Sequence, residues 1–169
     1  MASAILVTTS RTLAEQVVKE IEGFLEVLSR RSIMEQSLKQ FGHILVAGTL
    51  DEAVEAVNEI APEHLEIQTK EPFLLMSRIR NAGAVFVGQY SSEPLGDYFA
   101  GPNHVLPTNG TARFFSALSV DDFIKKTSVI YSSREALYDL RSDIEAFAEA
   151  ERLTAHANSV HVRFGEDDL

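Results

Sequence analysis

The sequence contains no cysteine and no tryptophan, and it is poor in basic residues. Without cysteine there can be no disulfide, thiolate metal site or cysteine nucleophile, so a bound metal would need His, Asp, Glu or amide ligands. The 15 basic residues stand against 25 acidic ones, a formal net charge of −10, which argues against nucleic acid or an anionic membrane as partner. No apolar run reaches the roughly 20 residues that span a bilayer, and no signal peptide is evident. We therefore expect a soluble, cytoplasmic protein.

Short apolar runs alternate with amphipathic segments through the first half of the chain. The runs typical of buried strands are Ala4–Thr9, His43–Ala47, Leu65–Gln68 and Ala84–Gly88. Thr-x-x-Glu capping boxes at Thr12 and Thr49 open helical patterns between them, with a break at Ser29–Ser32 and a further helix over Phe73–Arg80. This alternation predicts an α/β fold with a mostly parallel, Rossmann-like but incomplete sheet and flanking helices.

The second half of the chain is predicted to be a long loop followed by a helical tail. Residues Gln89–Thr111 show no periodicity and follow a strand, beyond whose carboxyl end ligands bind in parallel sheets. We predict an α/β domain over 1–121 that carries the site, and a helical tail over 122–169. The elements expected in the tail are a helix from a Ser132 capping box to about Leu153, strands at Ser128–Tyr131 and Ser159–Phe164, and a frayed end at 165–169.

Two neighbouring residues, Glu63 and His64, are the first candidates for chemistry. They follow Pro62 and precede a strand, where both side chains of a loop pair can point into one cleft. A carboxylate beside an imidazole can divide acid and base roles near neutral pH. The alternative is a pair of exposed polar residues behind a helix-terminating proline, and spacing alone does not decide between the two.

Three further residues could hold a metal or contact a ligand. Asp97 and His104 lie in the long loop and could be metal ligands or acid–base groups, or else a turn cap and an ordinary loop histidine. His156 follows the tail helix and the acidic Glu151, a position that also suits a solvated histidine at a helix C-terminus.

Four segments together resemble one known family. They are APEHLEI, SSEPLGDYFAGPNHVLPTNGTARF, LSVDDFIKKTSV and AEAERLTAHANSV. In this order and at these separations they resemble histidinol dehydrogenase over essentially the whole chain apart from its last few residues. The resemblance implies NAD-dependent, zinc-assisted oxidation of L-histidinol to L-histidine through the aldehyde, the last step of histidine biosynthesis.

The resemblance also implies a role for each candidate residue. His64 is expected to be the general base, Glu63 to activate the water that attacks the aldehyde, and zinc to bind at Asp97 and His156. The positions expected to contact the substrate are His64, Asp97, His104, Glu151 and His156.

Part of the family's machinery has no counterpart in this sequence. Two further zinc ligands in the family form a Gln-x-x-His pattern before the first strand, and no such pattern precedes Ala4. There is also no Gly-x-Gly-x-x-Gly loop, so no residue is assigned to NAD binding. Because catalytic zinc sites normally keep three protein ligands, we expect weak zinc binding and no turnover by this chain alone.

The family resemblance further implies a homodimer in which the tail, from about Asp122, reaches the partner's active site. The tail helix has an apolar stripe that must be buried somewhere, on a partner or on its own domain: Leu137, Leu140, Ile144 and Phe147. Two alternatives to the enzyme remain. One is a catalytically silent dimerising remnant, and the other is a small zinc hydrolase that uses Asp97, His156 and the Glu63–His64 pair.

Overall fold

Four short strands in two parallel pairs organise the chain, which a computed structural model describes over residues 2–164. Strand β1 (Ala4–Thr8) pairs with β2 (Gly42–Val46), and β3 (His64–Ile67) pairs with β4 (Ala84–Val87). The α/β class and the parallel pairing are confirmed. The strands form two small sheets rather than one, and an apolar groove of about 880 Å³ is lined by both β1 and β3.

The chain divides into two compact units, Met1–Ile124 and Lys125–Leu169. All the described strands and the first five helices lie in the first unit. Those helices are α1 (Arg11–Val27), α2 (Arg31–Phe41), α3 (Leu50–Ile60), α4 (Pro72–Met76) and α5 (Glu93–Tyr98), with 3-10 turns at Thr111–Arg113 and Val120–Phe123. None of the described helices is both long and apolar enough to cross a membrane.

The helix boundaries follow from local capping and differ from the sequence prediction in places. The break between α1 and α2 is confirmed, at Arg30 in the left-handed region with φ 67°. The predicted cap at Thr12 is wrong, because the Ser10 side chain accepts the Leu13 N–H and starts α1 two residues earlier. The cap at Thr49 is confirmed. Helix α4 is shorter than predicted and ends at Met76.

The core of the first unit lies between α3, α4 and the β3–β4 pair. Val54, Ile67 and Leu75 are buried together, and Leu65 and Ile79 pack against them. Leu65 and Ile67 face this core because residues two apart in a strand share a face. The opposite face of β3 is therefore available for a site.

The second unit consists of α6 (Arg134–Ala150) and α7 (Thr154–His161) packed on one another. Helix α6 is capped by Ser133, not by Ser132 as predicted, and it ends three residues before Leu153. Up to Phe164, where the described part of this unit ends, the buried residues are Ala148, Ala157, Val160 and Phe164. Most of the predicted apolar stripe instead stays exposed: Leu140 54%, Ile144 36% and Phe147 72%.

Both strands predicted for the tail are wrong. Residues 159–161 belong to α7, and Val160 and Phe164 are buried at a four-residue spacing while Val162 is 64% exposed. The alternation of polar and apolar residues in this segment suggested a strand, but the buried residues follow the spacing of a helix. Segment 128–131 forms no strand, and its Val129 and Ile130 are 90% and 92% exposed. The frayed end predicted at 165–169 lies outside the described residues.

One buried amide ties the end of α3 to the turn that leads into β4. Asn58 is 3% exposed, and its Oδ1 accepts the Arg80 N–H at 2.6 Å and the Asn81 N–H at 3.3 Å. Its Nδ2 donates to the Arg78 carbonyl at 3.1 Å. This network fixes the two chain segments that flank β3, the strand that carries His64.

We expect Asn58→Ala to lower the free energy of unfolding by about 2–3 kcal/mol, because it leaves buried backbone groups without partners. Urea denaturation measures this directly. Asn81→Ala is the matched control, since it removes a single bond from Asn81 Nδ2 to the Asn58 carbonyl and should cost about 1 kcal/mol. Equal stabilities for Asn58→Ala and wild type would contradict this account of the turn.

Candidate active site

His64 begins strand β3 directly after the turn that ends α3. Ala61, at the end of that helix, is fully buried and adopts the left-handed conformation at φ 50°, and Pro62 cannot continue the helix. The chain therefore turns sharply into β3. His64 and Glu66, two residues apart, share the face of β3 that points away from the core.

Helix α5 covers this face and brings two carboxylates to it. Glu93 and Asp97 are four residues apart, so both lie on one side of the helix. The close approach depends on Gly96, because a Cβ at this position would come within 2.5 Å of the Phe86 ring. Phe86 is the β4 partner of Glu66 in the parallel register, so α5 rests on the same face that carries His64.

The imidazole of His64 faces both carboxylates. Its Nε2 lies 3.9 Å from Glu93 Oε1 and 3.9 Å from Asp97 Oδ1, which is beyond hydrogen-bonding distance. This Nε2 is buried and has no hydrogen-bond partner among the described residues. The His64 ring is held from the side by Phe86, with ring centroids 6.0 Å apart. We call His64, Glu93 and Asp97 the β3–α5 cluster; ligand atoms of all three lie within 4.8 Å of one another.

The proximity of the two acids has an electrostatic consequence. Partial burial raises the pKa of Glu93 above its ordinary value, and hydrogen bonding to Asp97 and repulsion from its charge raise it further. His64 acts in the opposite direction. The cluster is thus a place where a proton or a cation is stabilised. Nitrogen and oxygen donors, with an unpartnered buried imidazole nitrogen among them, fit Zn²⁺.

The remaining predicted residues of the first unit, Glu63 and His104, are not members of this cluster. Glu63 is half-buried, and its carbonyl accepts the Ala84 N–H at 2.9 Å, so its backbone is fixed at the start of the β3–β4 pairing. His104 is exposed in the segment after α5. Asp97 was expected in an aperiodic loop or at a turn cap; that expectation is wrong, because Asp97 lies within α5.

The two predicted site residues of the tail are both exposed and lie in the second unit. Glu151 is the C-cap of α6. His156 was expected beyond the last helix, but it lies in the first turn of α7. The structure thus gathers His64 and Asp97 within one unit, whereas Glu151 and His156 belong to another.

Sequence reasoning missed Glu93, the third member of the cluster. A signal for it exists, since Glu93 and Asp97 have the i, i+4 spacing of a helix face. Pro94 and Gly96 hid this signal, because both residues normally count against a helix. In α5 the proline occupies the first turn, where it is tolerated, and the glycine provides the contact with Phe86.

We expect Gly96→Ala to destabilise the protein by about 1–3 kcal/mol, because the added methyl group would overlap the buried Phe86 ring and displace α5. Urea denaturation tests this. Gly23→Ala in α1 is the matched control: a Cβ there meets nothing within 4 Å, and it should stabilise the protein by up to about 1 kcal/mol. Equal effects of the two substitutions would exclude the proposed contact.

The raised pKa of Glu93 predicts a pH-dependent stability difference. The folded chain holds this proton more tightly than the unfolded chain, so the free energy of unfolding falls as pH rises through the raised pKa of Glu93. Glu93→Gln, which cannot ionise, should therefore be more stable than wild type at neutral pH. The advantage should fade below the ordinary carboxyl value of 4.5. Urea denaturation across a pH series measures it, and a difference that does not vary with pH would contradict the assignment.

Comparison with known proteins identifies relatives of the chain. The family model for histidinol dehydrogenase matches residues 1–164. The histidinol dehydrogenase of Caldanaerobacter subterraneus subsp. tengcongensis is 62% identical over 99% of this chain and 39% of its own length. That of Geobacillus kaustophilus is 59% identical over 96% of this chain and 38% of its own length. The chain therefore spans about two fifths of the length of these curated relatives.

A solved structure agrees with the sequence matches. The crystal structure of histidinol dehydrogenase from Elizabethkingia anophelis matches with a TM-score of 0.85 and 38% identity, over 94% of this chain and 36% of that one. The fold and the sequence thus point to the same relatives, as the four quoted segments predict. The chain belongs to the histidinol dehydrogenase family.

Proposed function

We propose that this chain is the part of a histidinol dehydrogenase that supplies the acid–base pair and half of the zinc site. The reaction is the NAD-dependent oxidation of L-histidinol to L-histidine through the aldehyde, in the cytoplasm. The observation that carries the proposal is the buried His64 Nε2, which has no hydrogen-bond partner in the described part of the chain and faces Asp97 and Glu93. Membership of the histidinol dehydrogenase family supports histidinol as the substrate.

His64 has the surroundings that a general base needs. A neutral imidazole nitrogen without a competing partner can accept the proton of a substrate alcohol. The positive charge that forms on the ring would then face two acidic side chains at 3.9 Å. The Phe86 ring lies beside the imidazole, with the two ring centroids 6.0 Å apart, and supplies an apolar neighbour on that side.

Glu63 is proposed to activate the water that attacks the aldehyde. The Ala84 N–H donates to the backbone carbonyl of Glu63 at 2.9 Å and so fixes the backbone of this residue. The carboxylate of Glu63 takes no part in that bond. Each oxidation then balances in the same way. A carbon–hydrogen bond would break with its hydride going to NAD, and an oxygen-bound proton would pass to a protein base; hydration of the aldehyde between the two steps would add the second oxygen.

Asp97 is proposed to hold zinc together with His156, while His64, Asp97, His104, Glu151 and His156 bind the substrate. Zinc, when bound, would orient the substrate and act as a Lewis acid. Two carboxylate or imidazole ligands are fewer than the three that catalytic zinc sites normally keep. This chain matches about two fifths of the length of its Caldanaerobacter relative. The remaining zinc ligands and the NAD-binding residues are proposed to come from the other three fifths.

The tail is proposed to serve the active site of a partner in a homodimer. The second unit is compact by itself, and its Glu151 and His156 are exposed. An apolar face of α6 is also uncovered, with Phe147 72% exposed. Exposure of this kind on a short helix pair is typical of a surface that is buried on association.

Reconstitution tests the proposed activity. The purified chain is mixed with the part of the Caldanaerobacter protein that precedes the matched region, together with zinc, histidinol and NAD, and NADH formation is followed. We expect no turnover by the chain alone and turnover by the mixture. His64→Asn should reduce the rate by about 10²–10⁴-fold, the range for loss of a general base.

The matched control is His43→Asn, a change at an exposed histidine of β2 that should leave the rate near wild type. Turnover by the chain alone, or an unchanged rate with His64→Asn, would overturn the assignment. A chain that associates with the added part but stays inactive would favour a silent dimerising remnant. Hydrolytic activity of the zinc-loaded chain by itself would favour a small zinc hydrolase.

A further inference from the structure

We propose that Glu66 is a positioning residue for this site: its carboxylate anchors the start of α5 and thereby keeps Glu93 and Asp97 opposite His64. The inference rests on the proposed function, because it concerns the same cluster. It assigns a role to a residue that the reaction itself does not use.

The anchor is a hydrogen bond from helix to strand. The backbone N–H of Glu93, the first residue of α5, donates to Glu66 Oε1 at 3.2 Å. The first N–H groups of any helix lack partners within the helix, and Ser92, at the N-cap position, makes no side-chain capping bond. Strand β3 thus provides the cap that the local sequence does not. A carboxylate at a helix N-terminus is also electrostatically favourable.

The Glu66 carboxylate is itself held in place. Its second oxygen, Oε2, accepts a hydrogen bond from Gln68 Nε2 at 3.1 Å, two residues along the same face of β3. The side chain therefore has a partner at each oxygen, one on the strand and one on the helix. This arrangement fixes its direction without burying it.

A short helix such as α5 needs anchors of this kind. It contains six residues, too few for a helix to be stable by itself. Its contacts with the strands include the Glu66 bond at its first residue and the close approach of Gly96 to Phe86 in its middle. Because His64 and Glu66 belong to one four-residue strand, the strand that places the imidazole also places the two acids.

Two substitutions of Glu66 distinguish loss of the hydrogen-bond acceptor from loss of the negative charge. Glu66→Ala removes the acceptor, whereas Glu66→Gln keeps an oxygen that can accept the Glu93 N–H. Glu66 is exposed, so the change itself opens no buried cavity. Glu52→Ala is the matched control, since Glu52 Oε2 makes the same kind of bond to a backbone N–H, that of Gly48, at 2.8 Å near the start of α3.

Two readouts follow the substitutions. The first is hydrogen exchange of the Glu93 amide, measured by NMR on the full chain without metal. The second is Co²⁺ affinity, measured by titration. We expect Glu66→Ala to speed the exchange and to weaken Co²⁺ binding by about five-fold each, the size of effect that loss of one hydrogen bond allows. Glu66→Gln should restore both to near wild type, and Glu52→Ala should change neither.

Unchanged Glu93 exchange in Glu66→Ala would overturn the proposal. So would a Glu66→Gln variant as defective as Glu66→Ala, because the charge and not the anchoring bond would then be responsible. Absence of Co²⁺ binding by the wild-type chain would mean that its half-site needs the remaining ligands of the family, and the metal-free exchange comparison alone would then decide the role of Glu66.

Discussion

The contact of α5 with the β3–β4 pair is the constraint on which the site depends. His64 on β3 has a defined environment because Gly96 lets α5 lie against Phe86, and because the carboxylate of Glu66 holds the first residue of the helix. Without this contact, the acids of α5 would be ordinary exposed carboxylates. With it, Asp97 lies 3.9 Å from a buried imidazole nitrogen, and the pKa of Glu93 is raised. The packing of α5 against the two strands thus creates the electrostatics of the cluster.

Much of the fold could be predicted from the sequence, because its signals are local. Apolar runs and the Thr49 cap gave the parallel strand pairs and α3 correctly. The prediction was wrong where a tertiary contact outweighs local preference. Helix α5 contains a proline and a glycine and depends on β3 and Phe86 for its stability. Residues 159–161 belong to α7 although polar and apolar residues alternate there as in a strand.

Only part of the site was predictable, because some of its residues depend on tertiary contacts. The family resemblance pointed to His64 and Asp97, and the structure places these two residues together. It could not point to Glu93 or Glu66, because their roles follow from how a helix lies on a strand rather than from a motif.

Zinc stoichiometry tests whether this chain carries half of a zinc site, at Asp97 and His156. Zinc is measured after dialysis in the chain alone, in its mixture with the preceding part of the Caldanaerobacter protein, and in the same mixture with Asp97→Ala. We predict tightly held, equimolar zinc in the wild-type mixture only, because only two of the proposed zinc ligands, Asp97 and His156, belong to this chain and catalytic sites normally keep three. Equimolar zinc in the dialysed chain alone, or zinc retained by Asp97→Ala, would contradict it.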